Sequence, residues 1–418
     1  MELAAWNAGL SVNDWRNPRC LGRWLMWLGI AAMLVGSFLT PPWGKFGIAC
    51  AIAGALLARP PIHRLPAIVW IGSALSLWLL ASMGAGWLRG EPGAGRLPAL
   101  AYVWLAIPLG AACAVDARWR RQALLALIAV AAASTAVGLL QFCVGLGGGP
   151  LKIDAAGERF ARATGFCAVH LHFGYNGAIL AALCLATGLG PSTRWLWSGR
   201  VLAVVILVIS GARNGLLGGA AAIAAALMAR GGRWLWGGLA AGAIALLLVG
   251  GLMAMTSPGK MQAMLAGKDG RLPIWRAATA TLAERPVLGY GGRDAWKARY
   301  LQIYDQVNPD IPNEFTGSGP PHPHNWFLTL ANDNGIPALL LHLSLLVGVF
   351  VLLWRRRIEH PAAFQAGCGV LTAGLVCGQF EPLPVLAAAG AGFHAALGLC
   401  LGSAYGSDER ARTSSTGP

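Results

Sequence analysis

The chain has 418 residues, of which 56% are hydrophobic and only 12% are charged. These proportions exclude an ordinary soluble globular protein, because a soluble fold of this size carries far more charge on its surface. The net charge is +15, and the nine cysteines lie mostly within apolar runs, without Cys-x-x-Cys spacing. We therefore interpret the cysteines as small packing residues and expect neither a disulfide framework nor a cysteine metal site.

Apolar segments long enough to cross about 30 Å of hydrocarbon recur along the whole chain. They lie near residues 24–40, 43–58, 65–83, 98–115, 123–145, 171–189, 198–212, 215–230, 236–256, 327–354, 362–379 and 384–402. This pattern predicts an all-α polytopic membrane protein with about twelve transmembrane helices. The tenth segment is longer than a bilayer requires, so we expect its first turns to stand above the membrane.

The segments that connect these helices alternate between two kinds, and one kind is short and rich in arginine. Its arginines are Arg16, Arg19, Arg23, Arg59, Arg64, Arg118, Arg120, Arg121, Arg194, Arg200, Arg230, Arg233, Arg355, Arg356, Arg357, Arg410 and Arg412. If the chain crosses the membrane twelve times, all of these arginines lie on one side of it, and the positive-inside rule assigns that side to the cytoplasm. The sequence thus predicts a bacterial inner-membrane protein with both termini in the cytoplasm. These clusters favour contact with anionic membrane lipids and do not indicate nucleic-acid binding.

Connectors of the other kind face the periplasm, and two of them are long. The predicted division is 1–256 for helices one to nine, including a periplasmic loop at 146–170, then 257–325 for a large periplasmic loop, 326–402 for the last three helices and 403–418 for a cytoplasmic tail. The large loop is expected to be partly helical. Residues 272–284 have a helical pattern that ends at Arg285, because a residue before proline avoids the α conformation.

Unusual polar residues are concentrated in three of the outward-facing segments. These are Gly157–Gly165, followed by His170 and His172; the tight turn Gly211–Gly215; and the stretches Asp269–Arg276, Arg285–Gly292 and Pro321–Trp326 of the large loop. Arg213 lies in the tight turn between two apolar runs, where an ionisable residue is a functional candidate. Snorkelling of its side chain to the outer headgroups is the alternative interpretation.

Several arginines together with a histidine suit one kind of chemistry. Guanidinium groups pair with phosphate oxygens through two parallel hydrogen bonds, and histidine is the usual general base for a hydroxyl. The outward segments contain no Asp-x-Asp, no His-Glu-x-x-His and no close pair of carboxylates, so a metal–diphosphate site and a glycosidase-like acid–base pair are not expected. A sugar leaving with a diphosphate needs positive charge for the leaving group and one base for the attacking hydroxyl. The residues therefore favour glycosyl transfer from a lipid diphosphate, without metal or cofactor.

Four motifs in chain order resemble those of the O-antigen ligase family, whose wider superfamily includes O-antigen polymerases and protein O-oligosaccharyltransferases. They are Arg162-Ala-Thr-Gly165, Ser210-Gly-Ala-Arg213-Asn-Gly215, Gly270-Arg271-x-x-x-Trp275 followed by Arg285-Pro-Val-Leu-Gly-Tyr-Gly291, and His322-Pro-His324-Asn325. The ligase pattern continues after His-Asn with nine residues and Gly-x-x-Gly. Gly335 meets its first glycine, but Ala338 stands in the place of the second.

This resemblance implies an all-helical, GT-C-like membrane fold and an inverting transferase that needs neither metal nor ATP. The enzyme would move O-antigen polysaccharide from undecaprenyl diphosphate onto a sugar hydroxyl of the lipid A–core oligosaccharide, on the periplasmic face. His324 would be the general base, and Asn325 would orient its ring. Arg213 and Arg271 would grip the diphosphate, assisted by Arg162.

Three further residues of the large loop have two interpretations each. Arg276 lies about one turn from Arg271 and is a candidate for the same pocket or for a solvated helix face. His322, flanked by two prolines, is expected to stiffen the loop rather than to catalyse. Trp275 is expected to anchor its helix on the membrane domain, with a sugar-stacking platform as the alternative.

The sequence does not identify the acceptor, so two rival enzymatic functions remain, and a third rival is not an enzyme. A polymerase would join one polyprenyl-linked glycan to another, and a protein oligosaccharyltransferase would use a Ser or Thr hydroxyl. The third is a non-enzymatic transporter of the lipid-linked glycan. A transporter favours internal repeats and a charged site at the bilayer midplane, whereas here the charges lie at the outer surface.

Overall fold

The structure is a computed structural model that describes residues 17–39, 41–60, 62, 65–93, 96–144, 152–153, 159–160, 162–256, 262, 271–311, 322–383 and 386–406. Within those ranges, the elements of two or more residues are fifteen helices and one two-stranded β-ribbon. The helices are α1 (Pro18–Gly36), α2 (Pro41–Ala58), α3 (Pro66–Leu88), α4 (Leu100–Val103), α5 (Ala106–Ala114), α6 (Ala117–Val144), α7 (His170–Leu185), α8 (Thr193–Ile209), α9 (Arg213–Ala229), α10 (Arg233–Thr256), α11 (Arg271–Glu284), α12 (Arg293–Val307), α13 (Trp326–Arg355), α14 (Pro361–Gly378) and α15 (Ala387–Tyr405). The ribbon pairs β1 (Lys152–Ile153) antiparallel with β2 (Arg159–Phe160), inside the loop predicted at 146–170.

Parts of several predicted features lie outside the described residues. They are Arg16, Arg64, Arg410 and Arg412 of the arginine-rich connectors, residues 157–158 and 161, Asp269 and Gly270, Pro321, and the tail from 407 to 418.

Among the residues that the structure describes, six helices are long and apolar enough to cross a membrane: α1, α3, α6, α13, α14 and α15. Three shorter apolar helical segments accompany them, namely α2, the α4–α5 pair and α9. The six long helices coincide with six of the twelve spans predicted from the sequence. The chain is therefore a helical protein with several segments suited to a bilayer.

The fourth predicted span, 98–115, is divided into α4 and α5, and a proline explains the division. Pro108 has no N–H, so the carbonyl of Trp104 lacks its usual helical donor four residues later. That carbonyl accepts instead from Ile107 N at 3.0 Å. The Trp104 indole N–H donates to Ser76 Oγ of α3 at 2.7 Å, which ties the break to a neighbouring helix.

The most buried of the six long helices is α15. In its apolar stretch 94% of the residues are buried, and it packs against α1, α2, α5 and α14. Its sequence is dominated by alanine and glycine, and such small residues let membrane helices approach closely. Beside it, α14 also packs against α7 and α9.

A second layer, formed by α11 and α12 of the large loop, has its own small core. This core is built mainly from aromatic side chains: Tyr290, Trp296, Tyr300 and Tyr304, with Ile274, Ala277, Ala278 and Ala295. The Trp296 indole N–H donates to Thr281 Oγ1 at 3.1 Å, so its polar atom is satisfied inside the core. We call α11, α12 and the connection between them the outer layer. The prediction that the loop is partly helical is confirmed.

The long helix α13 is interrupted at Gly335, where φ is +86° and ψ is +164°. The segment 286–291 runs beside this interruption: Ile336 N donates to Pro286 O at 2.7 Å, and Tyr290 N donates to Asn332 O at 2.9 Å. The bundle helix α3 joins the same place, since the Trp78 indole N–H donates to Asn334 O at 3.0 Å. Gly335 is therefore the joint between the outer layer and the bundle.

Candidate active site

Four helix ends meet beside the N-terminus of α13. The last turn of α14 lies against α13, because a Cβ atom on Gly378 would stand 2.9 Å from the ring of Trp326. The same turn reaches α9, where Cys377 Sγ lies 3.2 Å from Asn214 O. The start of α9 in turn packs against the first turns of α7. The helix α11 begins at Arg271 and completes the group, so the predicted site segments converge from distant parts of the chain.

His324 precedes α13, and its ring makes a short polar contact with an acidic side chain. Its Nδ1 lies 2.8 Å from Glu381 Oε1, and Glu381 comes three residues after the end of α14. The Glu381 side chain is 8% exposed, whereas that of His324 is 23% exposed. Since an ionised carboxylate can only accept, Nδ1 carries the proton and the lone pair of the neutral ring is on Nε2.

His322 contacts the same carboxylate from the other side. Its Nε2 lies 3.6 Å from Glu381 Oε2, and its ring centroid lies 4.5 Å from that of His324. The backbone N–H of His324 donates to His322 Nδ1 at 3.2 Å. The neutral His322 ring therefore carries its proton on Nε2, the nitrogen nearer to the carboxylate.

His322, His324 and Glu381 place their ligand atoms within 4.8 Å of one another, close enough for one metal ion to contact all three. A ligating histidine nitrogen must have lost its proton. The His322 nitrogen that faces the carboxylate carries a proton while Nδ1 accepts from His324 N. A metal here would therefore break the bond between the two histidines, and the geometry fits two N–H groups on one carboxylate better.

The backbone around His324 is held in an unusual conformation. Its φ is +50°, a left-handed value that a histidine adopts at some cost. Asn325 caps α13, since its side-chain oxygen accepts from Leu328 N at 3.0 Å. The Asn325 amide also donates to Gln379 O at 3.3 Å. Asn325 thus fixes the helix start that presents His324, and its side chain is directed to these backbone groups.

Arg271 and Trp275 lie one turn apart on α11 and both reach this region. The guanidinium carbon of Arg271 lies 5.1 Å from the ring centroid of Phe380, the neighbour of Glu381. The Trp275 indole N–H donates to Pro323 O at 3.0 Å, between the two histidines. Trp275 thus ties α11 to the connector that carries both histidines.

Arg213 is half-buried and is the first residue of α9. The turn before it is tight, with φ of +57° at Gly211. The first N–H groups of a helix point outward and attract anions, so a phosphate near Arg213 would meet both a guanidinium and a helix N-terminus. Arg162 lies beside the neighbouring helix α7, with its NH1 3.5 Å from His170 Nε2.

Arg276 is the predicted site residue that differs from the others. It is exposed and lies on a different face of α11 from the pair Arg271 and Trp275. One step along a helix rotates a side chain by about 100°. The solvated-face interpretation therefore describes its position better than the pocket interpretation does.

This chain has Ala338 where the family pattern has its second glycine, and the backbone conformation explains why alanine is tolerated there. Gly335 needs to be glycine, because its φ is positive and a Cβ atom there would overlap the carbonyl oxygen of Val287. Ala338 lies in the helical part of α13 and is fully buried, where alanine is favourable. The first glycine of the pattern is therefore the one on which the fold of this chain depends.

Glu381 is the residue of this site that the sequence patterns do not reveal. It is the sole acidic residue between Glu359 and Asp408, and it falls in the short connector between two predicted spans. An isolated acid at such a place is a signal of the same kind as Arg213. Its proximity to the histidines could not be inferred, since 57 residues separate it from His324.

Comparison with known proteins bears on the central part of the chain. Residues 199–343 match the O-antigen ligase family, a group of glycosyltransferase-like ligase enzymes. A search of curated proteins found no match. The matched residues include α9, α11 and the start of α13, and hence Arg213, Arg271 and His324, whereas Arg162 and Glu381 lie outside them. Residues 199–343 are thus similar to the O-antigen ligase family, and the match supports the resemblance at the three of the four motifs that it includes.

Proposed function

We propose that this protein is an O-antigen ligase. It transfers O-antigen polysaccharide from undecaprenyl diphosphate to a sugar hydroxyl of the lipid A–core oligosaccharide, in lipopolysaccharide biosynthesis. The observation that carries the proposal is the position of His324, which a buried carboxylate holds at the meeting point of the helix ends that bear Arg213 and Arg271.

In the proposed reaction, His324 Nε2 takes the proton of the acceptor hydroxyl while the hydroxyl oxygen attacks the anomeric carbon. The bond between that carbon and the diphosphate oxygen breaks, and its electron pair leaves with undecaprenyl diphosphate. Attack from the face opposite the leaving group inverts the anomeric configuration. The leaving group is a stable anion, so the step requires no general acid, metal or ATP.

Positive charge is required where the diphosphate leaves. Arg213 and Arg271 are proposed to bind it, with Arg162 assisting from the loop before α7. Arg276 is assigned a peripheral role at most, because its helix face differs from that of Arg271. Trp275 positions α11, and His322 belongs to the support of the base.

We further propose a GT-C-like arrangement of twelve spans in the inner membrane, with both termini in the cytoplasm and the site at the periplasmic face. Support comes from the arginine-rich connectors, whose described members lie at the ends of the helices opposite to His324 and Arg213. A lipid-linked donor and a lipid-linked acceptor both reach such a site by diffusion within the bilayer.

The test is reconstituted transfer, with purified protein in liposomes, undecaprenyl-diphosphate-linked O-antigen, lipid A–core, and EDTA in place of added metal or ATP. Glycan attached to lipid A–core is the expected product. Elongated undecaprenyl-linked glycan would indicate a polymerase, and glycan on an added pilin-type acceptor would indicate a protein oligosaccharyltransferase. Movement of intact donor across the bilayer without any new glycosidic bond would contradict an enzymatic function.

A further inference from the structure

Glu381 is a buried acid for which the family match supplies no role. Its side chain is 8% exposed, and its two oxygens lie 2.8 Å from His324 Nδ1 and 3.6 Å from His322 Nε2. A charged group this far from water is costly unless it is paired and hydrogen-bonded. The two imidazoles provide that pairing.

The protons of this cluster follow from its hydrogen bonds. His322 Nδ1 accepts from the backbone N–H of His324, so the His322 proton is on Nε2. Each histidine therefore directs an N–H toward one oxygen of Glu381, at hydrogen-bond distance for His324 and at a longer 3.6 Å for His322. This arrangement leaves the basic lone pair of His324 on Nε2, the nitrogen remote from the carboxylate.

We propose that Glu381 is the positioning residue of the general base, and that His322 is the second support that keeps the carboxylate in place. Glu381 holds His324 in the Nδ1–H tautomer and stabilises the imidazolium that forms when Nε2 takes the acceptor proton. Glu381 acts through His324 and does not contact the substrate. This inference rests on the function proposed above, in which His324 is the base.

The surroundings of Glu381 favour this role over that of a purely structural ion pair. Titratable groups face it from two elements, His322 and His324 before α13 and His172 on α7, and Arg271 of α11 lies over the ring of the neighbouring Phe380. The strained φ of +50° at His324 is the backbone conformation that accompanies both contacts. Strain of this kind is retained where the surrounding structure fixes a functional side chain.

The deciding experiment is the pH dependence of kcat for Glu381→Gln in the reconstituted assay. The amide keeps the size of the side chain but removes its charge, and it cannot accept from both imidazoles at once. We expect kcat to fall about 100-fold or more, within the range that a general base supplies. The acid limb of the profile should move to lower pH, because the imidazolium loses its negative neighbour. The KM for the lipid-linked donor should change little.

Two further variants complete the design. Glu381→Asp keeps the charge but shortens the side chain by one methylene, which moves the carboxylate away from His324. The kcat should therefore fall less than in Glu381→Gln, and the acid limb should stay near its wild-type position. Glu359→Gln is the matched control, because Glu359 pairs with Arg356 at the opposite end of the bundle. It should leave both rate and profile unchanged.

Each outcome separates the inference from the function on which it rests. A lower kcat in Glu381→Gln with an unmoved acid limb would assign Glu381 a structural role and overturn the inference. Wild-type kcat in Glu381→Asp would also overturn it, even if the Gln variant did not fold. Activity retained by His324→Ala would refute the proposed base instead. Absence of transfer by the wild-type protein would refute the proposed function as a whole.

Discussion

The helices of the bundle pack through one kind of residue, and the helices of the outer layer pack through another. In the bundle, α1 and α2 approach through glycines, and a Cβ atom on Gly29 would collide with the backbone of Ala51. In the outer layer, α11 and α12 are joined by large rings, and the centroids of Trp296 and Tyr300 lie 5.2 Å apart. The two regions differ because the side chains of the bundle suit a lipid bilayer, whereas those of the outer layer suit water.

Lipid tails are as apolar as a leucine side chain, so burial of apolar area brings two membrane helices little benefit. Close backbone contact between small residues then gives the main attraction. In water the burial of an aromatic ring is itself favourable, and the outer layer uses it. The candidate site lies between the two regions: Arg213 comes from a bundle helix and Glu381 from the connector after another, whereas Arg271 comes from the outer layer. Variants that affect one region or the other can therefore separate folding from chemistry.

The largest effect is expected at the joint between the regions. Gly335→Ala places a Cβ atom onto the Val287 carbonyl and requires an alanine at φ of +86° and ψ of +164°, a region essentially restricted to glycine that costs about 1–3 kcal/mol before the overlap is counted. We expect most of the protein to be lost from the monodisperse peak when detergent extracts are analysed by size-exclusion chromatography.

Ala338→Gly is the matched control, three residues along the same helix. It restores the second glycine of the family pattern and is expected to cost about 1 kcal/mol, without any gain in transfer. A normal yield of Gly335→Ala would show that the break in α13 does not join the two regions, and a large rise in activity of Ala338→Gly would show that the second glycine of the pattern contributes to transfer.

The next effect concerns the proposed base. His324→Ala removes this base but leaves both cores intact, so transfer should fall about 10²- to 10⁴-fold. The thermal midpoint should fall as well, because the buried Glu381 loses the nearer of its two imidazole partners. His324→Asn is the companion variant, because asparagine tolerates the left-handed backbone at this position better than alanine does. His360→Ala, at the start of α14 on the opposite side, should behave as the wild type. A fully active His324→Asn would exclude His324 from proton transfer.

The sequence and the structure agree where local patterns decide the outcome. Apolar runs predict α3, α6 and α14, and the motif around Arg213 predicts a helix start, because each depends on neighbouring residues. Contacts between distant segments were not predictable. Glu381 meets His324 only after α13 and α14 have packed, and segment 286–291 meets Gly335 only in the folded chain. The spacing of Arg276 from Arg271 left a pocket and a solvated face open, and the structure places Arg276 on an exposed face because side chains five positions apart on a helix point in different directions.

A moderate effect is expected from Arg213→Lys, which tests the contribution of the bundle to the site. Lysine keeps the charge but loses the planar fork, so kcat/KM for the donor should fall about 10-fold. Arg230→Lys is the control at the other end of the same helix, and it should leave the kinetic constants unchanged. Equal constants for wild type and Arg213→Lys would favour simple snorkelling of Arg213 to the headgroups.

The smallest effect belongs to the outer layer and depends on pH. Glu284 accepts from Arg299 Nε at 2.7 Å and from the Tyr290 hydroxyl at 2.9 Å. The bond from Arg299 is the main cause that lowers the pKa of Glu284 below its ordinary value. Folding therefore favours the ionised carboxylate, and this stabilisation is complete above the ordinary pKa of glutamate. It is lost as the pH falls through the lower pKa of the folded state.

Thermal midpoints of wild type and Glu284→Gln at pH 7 and pH 3 measure this contribution. The ion pair is largely exposed, so the wild type should exceed the variant by no more than about 2 °C at pH 7 and by less at pH 3. Asp294→Asn, which removes a more exposed partner of Arg96 in the same layer, should give a smaller difference at either pH. A difference between wild type and Glu284→Gln that grows on acidification would reverse the expected sign of the pH dependence. The carboxylate would then be favoured in its protonated form by the aromatic core beside it, and that core would dominate over the ion pair in setting the stability of the outer layer.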